Sequence, residues 1–275
     1  MMTKAMSAVK ISPEIIESMK SVKYKIVVLS GKGGVGKTTV ATNLAMSFAK
    51  QDFKAGILDV DIYGPNVPKL MGLEGQHPEI DGQKIKPISG PLGTKVMSMG
   101  FLLRDNDDAV AWRGPLVARA ISQFLSDVSW GELDILVVDL PPGTGDEILS
   151  ILQSIPDVSG VVIVSTPQEV AVLDARRAIQ LVKKMNVPVL GILENMAEFV
   201  CPNCGEVHKL YGEGAAKRAA EEYSIDHLGT LPLDPRVITL SDEGTPFVVK
   251  EPDSEVAKHF ESVVQKLSEK IGMTK

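Results

Sequence analysis

Short apolar runs and amphipathic stretches alternate along most of this chain. Continuous aliphatic runs at residues 25–30, 55–59, 95–99, 135–139, 160–165, 189–193 and 227–231 read as strands. Between them, apolar residues recur at the three- and four-residue spacing of a helix with one buried face. That spacing predicts helices over 38–50, 114–128, 146–154, 170–185, 214–223 and 254–271. Strands that lack polar alternation are buried on both faces, and strand–helix alternation builds βαβ units. The expected fold class is α/β, a mostly parallel sheet with helices on both faces.

Three segments depart from the rhythm. Residues 72–93 are rich in Gly and Pro, and Asp81-Gly82 within them carries the turn signal of a small hairpin over 79–85. Residues 1–22 form a short polar lead-in, where Ser12 and Pro13 suit the N-cap and first position of a helix. The tail has an apolar stripe of Val256, Phe260, Val263, Val264, Leu267 and Ile271. Such a stripe suits either a membrane surface or the chain's own sheet. Lys258, Lys266 and Lys270 share the polar side with Glu255, Glu261 and Glu269, which favours the sheet over anionic lipid. No repeat or linker divides residues 23–275, so one domain is expected.

Composition narrows the class further. The 275 residues are 44% hydrophobic and 23% charged, an ordinary globular balance. A net charge of −6 argues against a broad nucleic-acid-binding surface. No apolar run approaches the ~20 residues that span a bilayer, and residues 1–25 lack the apolar core of a signal peptide. A cytoplasmic protein without membrane or nucleic-acid partners is expected. Two cysteines give no disulfide framework.

The richest chemistry lies at Ser30-Gly31-Lys32-Gly33-Gly34-Val35-Gly36-Lys37-Thr38-Thr39. It fits the G-x-x-x-x-G-K-S/T phosphate loop, with a strand before it and a helix after it. Successive backbone N–H groups and a positive helix end then converge on one anion site. Lys37 is placed to reach the β- and γ-phosphates of a ligand, and the Thr38 hydroxyl to hold Mg²⁺. Lys32 adds a second positive charge inside the loop, where anion charge concentrates.

Ligands of parallel α/β sheets sit beyond the carboxyl ends of the strands. Asp59 and Asp61 end one strand there, and Asp139 ends another, running into Pro141-Pro142-Gly143-Thr144-Gly145-Asp146. Magnesium takes few carboxylates, and Asp139 is the choice beside Thr38. Asp61, supported by Asp59, is the candidate to orient the attacking water.

Cys201-Pro202-Asn203-Cys204 is a C-x-x-C pair with Gly205 behind it. It is compatible with half a zinc ribbon in which His208 is a third ligand, though a structural zinc takes four. A redox pair, an incidental pair, and half of a site shared by two chains are also compatible. Two symmetry-related chains would offer four thiolates, the number that a 4Fe–4S cluster takes.

Taken together these phrases resemble a known family. K-G-G-x-G-K-S/T is similar to the deviant phosphate loop of the MinD/ParA/nitrogenase-iron-protein ATPases, whose early lysine reaches the partner's nucleotide in a dimer. Leu58-Asp59-Val60-Asp61-Ile62-Tyr63-Gly64-Pro65-Asn66, Trp112-Arg113-Gly114-Pro115, residues 139–146, and Glu194-Asn195-Met196 before the cysteine pair are more specific. From about Lys23 onward the chain resembles the Mrp/ApbC-type iron–sulfur cluster carrier ATPases. The resemblance implies a P-loop NTPase fold and a homodimer that slowly hydrolyses ATP. It also implies a labile 4Fe–4S cluster on Cys201 and Cys204, with apo iron–sulfur proteins as clients. Lys32 would act in trans, Asn195 would read adenine, and Pro232 and Asp234 would flank the base. The extra N-terminal cysteine cluster of eukaryotic relatives is missing, and residues 1–22 are too few for the small N-terminal domain of many bacterial ones. A positioning ATPase of MinD/ParA type, or a regulatory ATPase with interface zinc, are the alternatives.

Overall fold

The computed structural model describes residues 11–103, 114–201 and 203–274. Met1 to Lys10, Trp112, Arg113 and Pro202 lie outside the described residues. The chain opens with α1 (Pro13–Met19), β1 (Val22–Ser30), α2 (Lys37–Lys50), β2 (Ala55–Asp59) and α3 (Val67–Leu70). A hairpin of β3 (Ile80–Asp81) and β4 (Lys84–Ile85) precedes β5 (Ile88–Ser89), β6 (Lys95–Ser98) and α4 (Gly114–Ser126). Then come β7 (Leu133–Asp139), α5 (Asp146–Ser154), β8 (Gly160–Ser165), α6 (Glu169–Lys184) and β9 (Val189–Glu194). A second hairpin, β10 (Phe199–Val200) with β11 (Val207–His208), leads to α7 (Ala215–Tyr223) and β12 (His227–Thr230). The chain closes with α8 (Pro235–Asp242), α9 (Phe247–Lys250) and α10 (Glu255–Ile271).

Eight strands form one sheet in the order β12-β9-β8-β1-β7-β2-β6-β5. All pairings are parallel except β5 with β6, at the edge. The sheet is therefore the expected α/β type, and its inner strands are buried on both faces. Every residue of β8 is buried, as are the last six of β1. That is why these strands read as unbroken apolar runs.

The order of strands positions the chemistry. β7 lies between β1 and β2, so the phosphate loop after β1 and the aspartates ending β7 and β2 share one edge. Asp139 stands opposite Val28 on one side and Asp59 on the other. The backbone N–H of Val60 donates to the Asp139 carbonyl at 3.0 Å, holding the strand ends level.

The tail stripe is buried as expected of a helix on its own sheet. Val256, Phe260, Val263, Val264 and Leu267 are each at most 4% exposed, and α10 packs on α2 and β12. The Ser254 hydroxyl caps that helix by accepting from the Ala257 N–H at 3.2 Å. Ser12 does the same for α1, whose Ile15 and Met19 are buried against the body. No helix among the described residues is long and apolar enough to cross a membrane.

Candidate functional site

Lys37 begins α2 and is 6% exposed. Its ammonium donates to Asp139 Oδ1 at 2.7 Å and to the Thr38 hydroxyl at 3.2 Å, and lies 3.4 Å from Asp61 Oδ2. Burial pushes the Lys37 pKa down, but Asp139, Asp61 and Asp59 together outweigh it and leave it raised. The lysine is thus firmly charged. An incoming phosphate has to compete with two carboxylates for it.

The three aspartates divide their work. Asp59 is fully buried, and its oxygens accept from Ser98 Oγ at 2.7 Å, Asp61 N–H at 3.0 Å and Val67 N–H at 3.3 Å. Burial and the charge of Asp139 push its pKa up to about 8, against the pull of Ser98 and Lys37. Asp59 therefore supports Asp61 from below, through the backbone, and does not line the cavity. Asp61 does line it, and its Oδ1 accepts from the N–H groups of Tyr63 and Gly64 at 3.2 and 3.3 Å. Asp139 Oδ2 is buried without a hydrogen-bond partner. Such an orphan oxygen carries a desolvation cost that a ligand would relieve.

Above these groups lies a cavity of about 500 Å³. Gly33, Gly34, Gly36, Lys37, Thr38 and Thr39 form its phosphate-loop wall, with Asp61 facing them. Gly31, Lys32 and Val35 do not line it. A second cavity of about 210 Å³ continues from Gly36 and Thr39 to Asn195, Met196, Pro232 and Asp234. Asn195 Nδ2 donates to the Val35 carbonyl at 2.9 Å, which joins the end of β9 to the phosphate loop. The sequence-derived base-side residues thus meet the loop in space, around a pocket with apolar walls.

Two glycines of the loop have different reasons to be there. Gly36 has φ +81°, and a Cβ on it would meet Asn195 Nδ2 at 2.3 Å. Gly31 instead touches the backbone of α6, where a Cβ would lie 2.2 Å from the Asp174 carbonyl carbon. A backbone neighbour cannot rotate away as a side chain can. Gly31→Ala should therefore lower unfolding free energy by about 1–3 kcal/mol, the usual cost of overpacking. Urea titration measures it, and an unchanged midpoint would contradict that contact.

The cysteine pair sits on the β10–β11 hairpin. Cys201 is half-buried and Cys204 exposed, and both thiols are free. The Cys201 N–H donates to the Glu206 carbonyl at 2.9 Å, and the Gly205 N–H donates back to Cys201 O at 2.8 Å. Backbone N–H groups of Asn203 and Cys204, together with the Cys204 thiol, hold the Cys201 thiol below its usual range. The pair lies in a hairpin loop and not at a helix start, unlike thioredoxin-type redox pairs. Among the described residues no group of three or more His, Cys, Asp or Glu is placed to hold a metal ion. His208 instead stands opposite Phe199 across the hairpin. Val200 and Val207, at 51% exposure each, and Leu210, at 59%, leave an apolar surface beside the thiols.

A family model described as NUBPL iron-transfer P-loop NTPase, of the ParA group, matches residues 21–268. The chain belongs to this family. An iron–sulfur cluster carrier protein of Saccharolobus solfataricus is 50% identical over 249 residues, covering 90% of this chain and 84% of its own. Another from Methanocaldococcus jannaschii is 49% identical over 258 residues, covering 94% and 88%. Among solved structures, a nucleotide-binding protein from Archaeoglobus fulgidus in complex with ADP, with cobalt found, superposes with a TM-score of 0.77. It is 42% identical, with 90% of this chain and 96% of that one covered. The cell-division ATPase MinD of Pyrococcus furiosus shares the fold, with a TM-score of 0.66 at 20% identity and 90% and 99% coverage.

Several lining residues of this NTPase site escaped the sequence reading. Ser241 and Asp242 line the phosphate cavity from α8, and Tyr63, Asn66 and Lys69 line it from the segment after Asp61. Asp234-Pro235 was the available signal for α8, since Asp caps it through the Arg236 N–H at 2.9 Å and Pro takes the first position. Ser98 carries no motif. Its role follows only from β6 lying beside β2.

Proposed function

We propose that this chain is an ATP-hydrolysing carrier that holds a labile 4Fe–4S cluster between two copies of itself and delivers it to apoproteins in the cytoplasm. The observation that carries this reading is a two-thiol hairpin with an apolar surround, placed directly after the Asn195 end of a nucleotide site. Two soft thiolates are half the ligand set of such a cluster, so a second copy would complete it. The carrier names of the relatives at 49–50% identity support the same cargo.

The phosphate loop and Lys37 would bind ATP, with Asn195, Pro232 and Asp234 around the base and Lys32 reaching the partner's nucleotide. The unpartnered Asp139 oxygen and the Thr38 hydroxyl are hard donors that suit Mg²⁺. The ion, when bound, supplies charge neutralisation at the phosphates. As Lys37 turns to the phosphates, Asp61 Oδ2 loses its cation and can accept a hydrogen from the attacking water. Asp61 Oδ1 stays engaged by Tyr63 and Gly64.

Asp61→Asn keeps those two contacts and removes the Oδ2 acceptor together with its charge and its ion pair to Lys37. Its nucleotide affinity should match the parent, while turnover falls about 100-fold, as for loss of a general base. Calorimetry and phosphate release measure the two; parallel losses would put Asp61 in the binding shell. Delivery has its own test. The reconstituted protein should restore an apo iron–sulfur enzyme in the presence of a chelator that blocks free iron. No restoration would overturn the carrier reading.

A further inference from the structure

The phosphate cavity is lined by a second cation from outside its loop. Lys69, on α3, lines the same space of about 500 Å³ as Gly33, Lys37 and Thr38. Among the described residues, the charged ones lining it are Lys37, Lys69, Asp61 and Asp242, two of each sign. Lys37 is already drawn to Asp139 and Asp61. Lys69 pairs with Glu74 Oε2 at 3.1 Å, and the two side chains are 45% and 38% exposed. An ion pair that exposed is weak and easily exchanged for a better anion.

The backbone under Lys69 is fixed from both ends. The Val67 N–H donates to Asp59, and the Gly72 N–H donates to the Lys69 carbonyl at 3.2 Å. Beyond α3, Gly72 and Gly244 touch so closely that a Cβ on Gly244 would lie 2.7 Å from Gly72 Cα. That contact sets α3 against the end of α8, which supplies Ser241 and Asp242 to the cavity. Only the lysine side chain has to swing. A polyanionic phosphate chain between Lys37 and α3 then offers it a charge-assisted bond that Glu74 matches poorly.

We propose that Lys69 is a second phosphate-binding lysine, acting in cis from α3 on the cavity that Lys37 also lines and selecting nucleotides with more than one phosphate. The inference rests on the nucleotide reading of this cavity. Lys32 is assigned elsewhere, since it does not line the space.

Calorimetry on the full-length chain with AMP, ADP and a non-hydrolysable ATP analogue, each with Mg²⁺, provides the test. Lys69→Ala should weaken ADP and the ATP analogue about tenfold or more, and leave AMP unchanged. Lys69→Arg should recover most of the loss, because it keeps the charge. Glu74→Gln should bind as tightly as the parent or more tightly, since it frees the lysine. An equal loss for all three nucleotides, no loss at all, or a loss reproduced by Glu74→Gln would overturn the proposal. If the parent itself binds none of the three, the nucleotide reading fails and not merely the role of Lys69.

Discussion

Lys37→Ala should reduce ATP turnover by at least about 100-fold, the scale seen when one preorganised cation or donor is removed from a reacting centre. Lys37 is the group on which the site converges: its ammonium meets Asp139 at 2.7 Å and Asp61 at 3.4 Å. Removing it would take away the proposed phosphate contact and leave two adjacent carboxylates without their cation. Breaking a buried pair by deleting one partner costs about 3–5 kcal/mol when the other stays charged. Here the cost should be smaller, because burial already pushes Asp139 upward and it can take up a proton. The variant should therefore fold, with a lowered unfolding midpoint that falls further as pH rises and Asp139 ionises. Circular dichroism and phosphate release separate the two effects. Turnover at the parental rate in Mg²⁺ buffer would show the site to be misassigned.

Cys201→Ser and Cys204→Ser should each abolish iron and sulfide uptake while nucleotide affinity stays at the parental value. One chain presents two free thiols on a hairpin, and no further ligand group stands beside them among the described residues. A cluster with four iron atoms takes four cysteines, so two chains have to contribute and iron should load at about two atoms per chain. The cluster would lie near solvent, since Cys204 is exposed and Cys201 only half-buried. That placement suits cargo that is to be given up. The phosphate loop and the aspartates sit at the ends of β1, β2 and β7, away from the β9 end that carries the hairpin, so a serine in the hairpin leaves them in place. Anaerobic reconstitution, iron and sulfide analysis, and light scattering report on loading and on dimer formation together. A brown dimer supports the bridging site. Tight zinc without iron uptake, or a full cluster on a monomer, would falsify it.

The sequence by itself determined most of the elements and the phosphate-loop motif. Periodicity is a local property, so strands such as β8 and β1, buried on both faces, were legible as unbroken apolar runs. The phosphate loop was legible because its glycines, lysine and hydroxyl must occur at fixed spacing along one stretch of chain. The stripe of α10 and the hairpin at Asp81-Gly82 were legible for the same reason. Short irregular pieces were not: β5 has two residues and pairs only because β6 runs beside it.

Tertiary structure decided which group meets which. Nothing in the order of residues places Ser98 on Asp59, or Asn195 on Val35; strand order does, by setting β6 beside β2 and the end of β9 near the loop. The same packing divides three chemically identical aspartates into a buried support, a cavity-lining acceptor and an orphan oxygen beside a lysine. Burial and neighbouring charge act through space and at short range, so they attach to positions in the fold and not to positions in the chain. Gly31 makes the point in a single atom: its motif reads as phosphate binding, while the contact that forbids a Cβ is the backbone of α6.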